Sequence, residues 1–399
     1  MTDAIDMQAD YDIAICGAGP AGMALAALLA RRGVPARRIV LIDAKTIEQA
    51  GADPRTLALS HGSRQILEEL GAWALLDAGA ATPIHDIHVS RRGQFGRSVI
   101  DRAEHGVPAL GYVTRYGDLA RALGAVCAKA GVIALRPATV TALDEGPASV
   151  ALHIRDDDAD ADVDGNGSAR VLHAAIAVQA EGGLFGSQSA RAISRDYRQT
   201  AIIAHVRSSA PVTHRAFERF TDEGPLALLP QDDGYALVWC ARPATAQTLL
   251  ALDDDAFLAR LGDAFGGRVG TFTAASRRLG FPLGLNADPD APGTARTAAI
   301  GNAAQTLHPV AGQGLNLGLR DATVLARLLA QGATPQRLAE FAALRRQDRS
   351  VTVRLTDTMA RIFAQPSPAQ ALLGASLAAI DMVGPARSVL AELMMYGRR

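Results

Sequence analysis

The chain has 399 residues, of which 49% are hydrophobic and 20% are charged, as in soluble globular proteins with a substantial core. Forty basic and 41 acidic residues nearly balance, which argues against general attraction to nucleic acid or acidic membranes. Three widely spaced cysteines without a CxxC pair argue against disulfide frameworks and zinc sites. With no secretory signal and no run of ~18 apolar residues, we expect a cytoplasmic protein with buried thiols.

The first elements along the chain form a βαβ unit. Residues Tyr11–Cys16 are predicted to be a buried strand, residues 17–22 a glycine turn, residues 23–32 a helix and residues 38–43 a second strand. A strand, a helix and a further strand in this order predict a parallel sheet.

The central part alternates between helical and strand-like patterns. Periodicity predicts helices over 55–73 and 119–131, and alternation predicts a β excursion over 84–100. Residues 150–155 and 170–179 are expected to pair as a hairpin. The acidic loop between them lacks the terminal glutamate of a calcium-binding EF-hand, so we predict no metal site.

The C-terminal half begins with a predicted antiparallel sheet. Residues 199–281 are mostly strand-like, with a helical interruption over 249–265. A short apolar strand over 298–301 and a helix over 314–329 follow, and the remainder is mainly helical.

The glycine turn carries the strongest chemical signal. Gly17 permits a tight turn, Gly19 lets a pyrophosphate approach the backbone, and Gly22 lets the helix pack closely on the sheet. The N–H groups at the start of the helix then point at the phosphates. Asp43, at the end of the second strand, can accept hydrogen bonds from ribose hydroxyls. These features predict a dinucleotide site, although NAD and FAD use the same turn.

A second glycine-rich segment occupies residues 301–318, after an apolar strand and at the opening of a helix. Bare backbone at a helix N-terminus can hold another electron-rich group, such as the edge of a flavin ring.

With this segment the chain resembles the UbiH/VisC-type ubiquinone-biosynthesis hydroxylases, which are class A FAD-dependent aromatic monooxygenases. The variant GNAAQT at residues 301–306 is most similar to the branch that acts on 2-octaprenyl-6-methoxyphenol. The blocks that carry the resemblance occur in the family's order and are residues 17–22, 53–60, 70–73, 89–96, 196–201, 218–221, 224–230 and 301–318.

The resemblance implies a mixed α/β, PHBH-like fold in which a Rossmann-type FAD domain is interrupted by an antiparallel β-sheet substrate domain and followed by C-terminal helices. The implied division is an FAD-binding domain in three parts (9–83, 105–190 and 285–335), a substrate-domain excursion (84–104), a substrate domain (191–284) and a helical region (336–399).

The resemblance also implies the site residues. The cofactor would be held by Gly17, Ala18, Gly19, Pro20, Ala21, Gly22, Asp43, Arg55, Glu181, Gly301, Asn302, Gly312, Gln313, Gly314, Leu315 and Asn316. Arg55, His308 and Pro309 would lie at the reaction centre. Arg55 has a structural alternative, an ion pair that braces a helix, and His308 has one as a residue that only shapes its loop.

Two positions depart from the common pattern of flavin hydroxylases. Glu181 stands where an aspartate usually precedes glycine, which adds a methylene and puts reductant binding in question. Asn302 replaces the aspartate of a Gly-Asp pair, although its amide can still bond a ribityl hydroxyl.

The mechanism that the resemblance implies is hydroxylation of an electron-rich phenol ring with NADPH or NADH and O₂, through a flavin hydroperoxide shielded from water. Strand residues 226–229 are candidates for the roof of the dry pocket. The alternatives are a flavoprotein of related fold with different redox chemistry, and an FAD-bound scaffold without catalysis in a quinone-biosynthesis complex.

A polyprenylated phenol substrate would bring the protein to the inner face of the membrane, and other ubiquinone-biosynthesis proteins are candidate partners. The apolar stretch over residues 369–395 either docks on lipid or a partner or packs on the protein's own core.

Overall fold

The computed structural model describes residues 9–93, 97–157, 169–181, 193–287, 293–306, 312–364, 392 and 395–397. Its helices are α1 (Pro20–Arg31), α2 (Ile47–Gly51), α3 (His61–Glu69), α4 (Tyr116–Ala130), α5 (Pro243–Ala251), α6 (Asp254–Phe265), α7 (Gln313–Leu329) and α8 (Pro335–Ala364). Its strands are β1 (Tyr11–Cys16), β2 (Ile39–Ile42), β3 (Thr56–Ser60), β4 (Ala81–Ile84), β5 (Asp86–Arg91), β6 (Arg97–Asp101), β7 (Gly111–Arg115), β8 (Ile133–Leu135), β9 (Ala138–Glu145), β10 (Val150–Asp156), β11 (Ala169–Gln179), β12 (Ile193–Ser208), β13 (Arg215–Phe220), β14 (Pro225–Gln231), β15 (Gly234–Ala241), β16 (Phe272–Ala275), β17 (Leu279–Ala287), β18 (Thr297–Ala299) and β19 (Gln305–Thr306).

The first sheet has the order β8-β2-β1-β11-β10-β9, with β18 also beside β11. Strands β8, β2, β1, β11 and β18 run parallel, which confirms the predicted parallel sheet. In register, Ile13 lies between Ile39 and Ile176. Helices α1, α4 and α7 contribute buried alanine and leucine side chains to the core on one face of this sheet, so the sheet is a rigid platform for the loops at its strand ends.

The second sheet has the order β19-β17-β12-β15-β14-β13-β5-β6, with β16 beside β12. One face is covered by α5 and α6, whose Leu249, Phe257 and Phe265 pack with Phe217 and Trp239 of the strands. The predicted β excursion is found here as β5 and β6, and the predicted hairpin is found in the first sheet as β10 and β11. The domain boundaries themselves stay a prediction.

A small third sheet, β3-β7-β4, joins the two large sheets. Ala216 of β13 packs here with Ile84 of β4 and Val113 of β7. The Thr56 hydroxyl also donates a 3.1 Å hydrogen bond to the Gln231 side chain at the end of β14. The face of the second sheet away from α5 and α6 therefore turns toward β3.

The predicted helix over residues 55–73 is wrong in its first part, because Thr56–Ser60 is β3 and pairs with β7. Helix α3 begins only at His61, where the Ser60 hydroxyl caps it by accepting from the Ser63 N–H at 3.2 Å. The single helix predicted over 249–265 is two helices, and the Asp253 side chain caps the second. Both errors arise where a side-chain cap starts a new helix inside an apolar run.

The predicted roof strand also needs a correction. Leu226 and Leu228 are fully buried on the side of α5 and α6, so they cannot line a pocket on the other face. Ala227 and Leu229 alternate with them and point away from those helices. The three cysteines are buried and unpaired, as predicted.

Helices α7 and α8 are joined by a buried ionic cluster. The Asp321 carboxylate accepts from Arg345 Nε at 2.6 Å and from Arg349 Nη2 at 2.9 Å, and it is fully buried. Arg349 also donates to the Ala299 carbonyl of β18 at 2.8 Å. The cluster fixes the position of α7, whose first turn belongs to the second glycine-rich segment.

Candidate active site

The glycine turn between β1 and α1 folds back on itself. Gly17 has φ +103°, and a Cβ there would lie 2.6 Å from the Glu181 nitrogen. A Cβ on Gly22 would lie 2.0 Å from the Gly17 carbonyl oxygen. Neither position can carry a side chain without movement of the backbone.

Gly19 is different, because the nearest atom to a Cβ there is the Tyr116 hydroxyl at 3.1 Å. Gly19 is also the N-cap of α1, no side chain caps this helix, and Pro20 is its first residue. The first-turn N–H groups of α1 therefore have no side-chain acceptor at the N-cap, which is the arrangement expected of a pyrophosphate site at a helix N-terminus.

Asp43 lies beside this turn, one residue beyond β2. Its Oδ2 accepts from the Ala18 N–H at 2.7 Å and its Oδ1 accepts from the Lys45 N–H at 2.8 Å. A carboxylate has about four acceptor sites, so capacity remains for ribose hydroxyls.

Arg136 is a residue that the sequence analysis missed. Its guanidinium donates to the Ala18 carbonyl at 2.7 Å and lies 3.7 Å from the Asp43 carboxylate. Arg136 therefore contacts both the glycine turn and the Asp43 carboxylate that is hydrogen-bonded to this turn. No local sequence signal marks this arginine, because it reaches the site from the connection between β8 and β9.

Glu181 follows β11 and packs against the same turn. Burial, together with the nearby Asp43 carboxylate, raises the pKa of Glu181 to about 7. Burial, with a smaller effect of Glu181, raises the pKa of the Cys16 thiol. Glu181 is therefore close enough to the turn to respond to charge there, although its role toward the cofactor stays a prediction.

Arg55 is placed at the start of β3. Its guanidinium pairs with the Asp53 carboxylate at 2.8 Å and stacks on the Tyr116 ring with 4.8 Å to the ring centroid. The ion pair that was considered as an alternative is therefore present, but it braces a strand rather than a helix. Arg55 also approaches the glycine turn, because the Tyr116 hydroxyl lies beside Gly19.

The structure describes two parts of the second glycine-rich segment, residues 301–306 and 312–318. Gly301 has φ +59°, and the side chain of Asn302 beside it is exposed. Gly312 has φ +60° and is the N-cap of α7, and a Cβ there would lie 2.9 Å from Ala58 Cβ. His308 and Pro309 lie outside the described residues, so their predicted roles stay predictions.

The first turn of α7 is anchored on β3 by Asn316. Its amide nitrogen donates to the carbonyls of Ala58 and Gly312 at 3.0 and 2.8 Å, and its oxygen accepts from the Ser60 N–H and the Ser63 hydroxyl at 2.9 and 2.7 Å. These four hydrogen bonds use both N–H donors and both acceptor sites of the side-chain amide. Asn316 would therefore position a cofactor through α7 rather than with its side chain.

The other predicted residues of this turn differ in exposure. Gln313 is buried, whereas Gly314 and Leu315 are partly exposed. A Cβ on Gly318 would lie 3.1 Å from Gly301 Cα, so α7 packs closely on the start of the segment. The two glycine-rich segments therefore meet where α1 and α7 pack, as a dinucleotide that spans both would require.

The comparisons with known proteins agree with this architecture. The family described as FAD binding domain matches residues 10–269 and 292–356. Ubiquinone hydroxylase UbiL of Rhodospirillum rubrum is 32% identical over 393 residues, which cover 94% of this chain and 87% of that protein. The 3-demethoxyubiquinol 3-hydroxylase of Escherichia coli is 29% identical over 80% of this chain and 79% of that protein.

Among solved structures, the p-nitrophenol 4-monooxygenase PnpA of Pseudomonas putida shares the fold, with a TM-score of 0.76 over 98% of this chain and 100% of that chain at 16% identity. The match of the family to most of the chain makes FAD the cofactor of this protein. The chain belongs to the FAD binding domain family and, within it, to the UbiH/VisC-type hydroxylases that its sequence resembles.

Proposed function

We propose that this FAD-dependent monooxygenase hydroxylates the aromatic ring of a polyprenylated phenol in ubiquinone biosynthesis, with NADPH or NADH as electron donor. The similarity to ubiquinone hydroxylases over nearly the whole chain is the observation that carries this proposal. The GNAAQT variant at residues 301–306 favours a 6-methoxyphenol ring as substrate.

The residues of the first glycine turn, with Asp43, Arg136 and Glu181 around it, would hold the ADP half of the cofactor. The ribityl chain and ring would lie along the second segment, with Gly301, Asn302 and the first turn of α7. When bound, FAD supplies transfer of one oxygen atom from O₂ to an electron-rich ring after reduction by the nicotinamide donor.

The protein's own part is positioning and exclusion of water. The face of the second sheet away from α5 and α6 would form the roof over the ring, through Ala227 and its neighbours. Arg55 presents a cation at the edge of β3, where it can orient an anionic or electron-rich group.

A polyprenyl tail would require contact with the membrane surface. Among the described residues, no helix has the length and apolar character needed to cross a bilayer. Most of the apolar stretch over residues 369–395 lies outside the described residues. We propose peripheral contact at the inner face of the membrane, where other ubiquinone-biosynthesis proteins are the candidate partners.

The test is anaerobic mixing of the purified FAD protein with NADH or NADPH, with and without a short-tailed 6-methoxyphenol. The corresponding methyl ether, which has no phenolic hydroxyl, is the matched ligand control. We expect the phenol to accelerate bleaching of the flavin, and admission of oxygen to give hydroxylated product in proportion to the donor consumed. The proposal would be overturned if the flavin is reduced with phenol bound but no hydroxylated phenol forms after oxygen is admitted.

A further inference from the structure

Five side chains form a line across the second sheet, one from each of five adjacent strands. In register, Val89 of β5 lies opposite Glu218 of β13, Glu218 opposite Ala227 of β14, Ala227 opposite Val238 of β15, and Val238 opposite Ile203 of β12. All five are partly exposed. We call these residues the Glu218 row.

The Glu218 row lies on the face of the sheet away from α5 and α6. The two neighbours of Glu218 both contact α6, because the ring centroid of Phe217 lies 5.4 Å from that of Phe265 and Arg219 Nε donates to the Ala264 carbonyl at 3.2 Å. Successive side chains of a strand point to opposite faces. Glu218 therefore points to the face that carries Ala216.

This face is the one that turns toward the proposed site. It contacts the third sheet where Ala216 packs near β4 and β7. Elsewhere on the second sheet, β12 contacts α8, where the Tyr197 hydroxyl donates to the Asp357 carboxylate at 3.0 Å. Helix α7 begins beside β3, where Asn316 anchors its first turn.

Glu218 is the only acid of the row, and the other members are apolar. Burial raises the pKa of its carboxyl to about 7. Within the described part of the chain, this carboxylate has neither a hydrogen bond nor an ion pair. A half-buried carboxylate without such a partner destabilises the fold. Groups in such unfavourable surroundings are typical of catalytic sites.

Among the described residues, a thiol and a guanidinium face the same side near Glu218. Cys240 of β15 has a thiol whose pKa is raised by burial and, to a smaller extent, by Glu218. Arg91 of β5 lies two positions beyond Val89, and its guanidinium is 3.8 Å from the exposed Asp222 carboxylate. Neither supplies the carboxylate of Glu218 with a fixed counter-charge.

We propose that Glu218 is a catalytic residue that accepts the proton of the substrate's phenolic hydroxyl, an inference that rests on the proposed function. The phenolic O–H bond breaks, a carboxyl O–H bond forms, and the electron pair stays on the phenolic oxygen. That pair is delocalised into the ring and makes the ring carbon a better nucleophile toward the oxygen atom derived from O₂. When the hydroxylated carbon loses its own proton to water, Glu218 returns the phenolic proton to the ring oxygen and is left as the carboxylate again.

The first experiment measures binding without turnover. The holoenzyme in weak buffer near pH 6.5, with no nicotinamide donor, is mixed with the short-tailed 6-methoxyphenol, and released protons are read with an indicator dye. A phenolic donor stabilises the ionised carboxylate, so wild type should release a fraction of a proton per bound phenol and none with the methyl ether. Glu218→Gln, of equal size, should release none with either ligand.

The second experiment measures product against pH. Glu218→Gln should lose about 10²- to 10⁴-fold in the rate of hydroxylation at pH 7, and the loss should shrink as pH approaches the phenol's own ionisation near pH ~10. Glu218→Asp should keep proton release and part of the rate. Asp233→Asn is the matched control, since its carboxylate pairs with Arg207 on the exposed end of the same sheet.

The outcomes separate the two proposals. If wild type forms no hydroxylated phenol, the proposed function fails. If wild type forms product and Glu218→Gln matches it in both rate and proton release, the assignment of Glu218 is wrong. FAD content and thermal unfolding report whether the glutamine variant folds. If the glutamine variant does not fold, wild type alone still tests the assignment. Equal proton release from wild type with the phenol and with the methyl ether would overturn it.

Discussion

The Asp43 carboxylate accepts a hydrogen bond at 2.7 Å from the backbone N–H of Ala18, in the centre of the first glycine turn. The end of β2 thus fixes the loop that follows β1, and Arg136, in the connection between β8 and β9, contacts both partners. The acid that the sequence assigns to the ribose therefore also shapes the first glycine turn.

Replacement of Asp43 should weaken FAD binding through both roles. Hydrogen bonds to charged groups contribute about 1.5–3 kcal/mol, so Asp43→Ala should raise the Kd of FAD by about 10- to 100-fold. Fluorescence titration of the apoprotein measures this. Asp12→Ala, which removes an exposed partner of Arg38 on the same sheet, is the control, and an unchanged Kd for Asp43→Ala would contradict the assignment.

Gly19→Val should abolish stoichiometric FAD binding. The space beside Gly19 is bounded by the Tyr116 hydroxyl, and a branched side chain would occupy the volume that the pyrophosphate needs. The FAD-to-protein ratio after gel filtration measures this. Gly262→Val is the matched control, because no atom apart from the adjacent backbone of α6 lies within 4 Å of a Cβ at that position. A Gly19→Val protein that keeps its full FAD would refute the site.

Asp321→Asn should destabilise the protein without touching the cofactor. The change leaves Arg345 and Arg349 buried beside a neutral group, and breaking a buried pair costs about 3–5 kcal/mol. Urea unfolding measures the loss. Glu340→Gln removes a half-exposed partner of Arg337 on α8, and surface pairs contribute about 0–1 kcal/mol. Equal losses in the two variants would show that the buried cluster does not hold α7 and α8 together.

The pH dependence of stability should reveal Glu181. Its pKa is raised from the ordinary 4.5 to about 7 in the fold, so the neutral form is favoured in the folded state. The contribution of Glu181 to the free energy of unfolding is therefore fully present below pH 4.5 and is lost as the pH rises through about 7. A shift of this size corresponds to roughly 3 kcal/mol, which solvent screening reduces to about 1–2 kcal/mol.

The measurement is urea unfolding of the apoprotein at pH 5 and pH 8. Glu181→Gln should lose about 1–2 kcal/mol less than wild type between these values. Glu218 has a raised pKa in the same window, and comparison of the variant with wild type removes that contribution. Glu69→Gln, at an exposed ion pair with Arg31, is the control. Equal pH dependence in wild type and Glu181→Gln would contradict the burial of this carboxyl.

The sequence by itself determined the βαβ unit, the glycine turn with Asp43, the second glycine-rich segment and the resemblance to FAD hydroxylases. These features are local, because glycine spacing and apolar periodicity act over a few residues. Only the tertiary structure decided that Thr56–Ser60 is a strand, since its pairing partner lies some 50 residues away in β7. Arg136 reaches the turn across the sheet, and the register of five strands lines up the Glu218 row. Such contacts join residues far apart in the chain, so the apolar periodicity and motif spacing of the sequence cannot predict them.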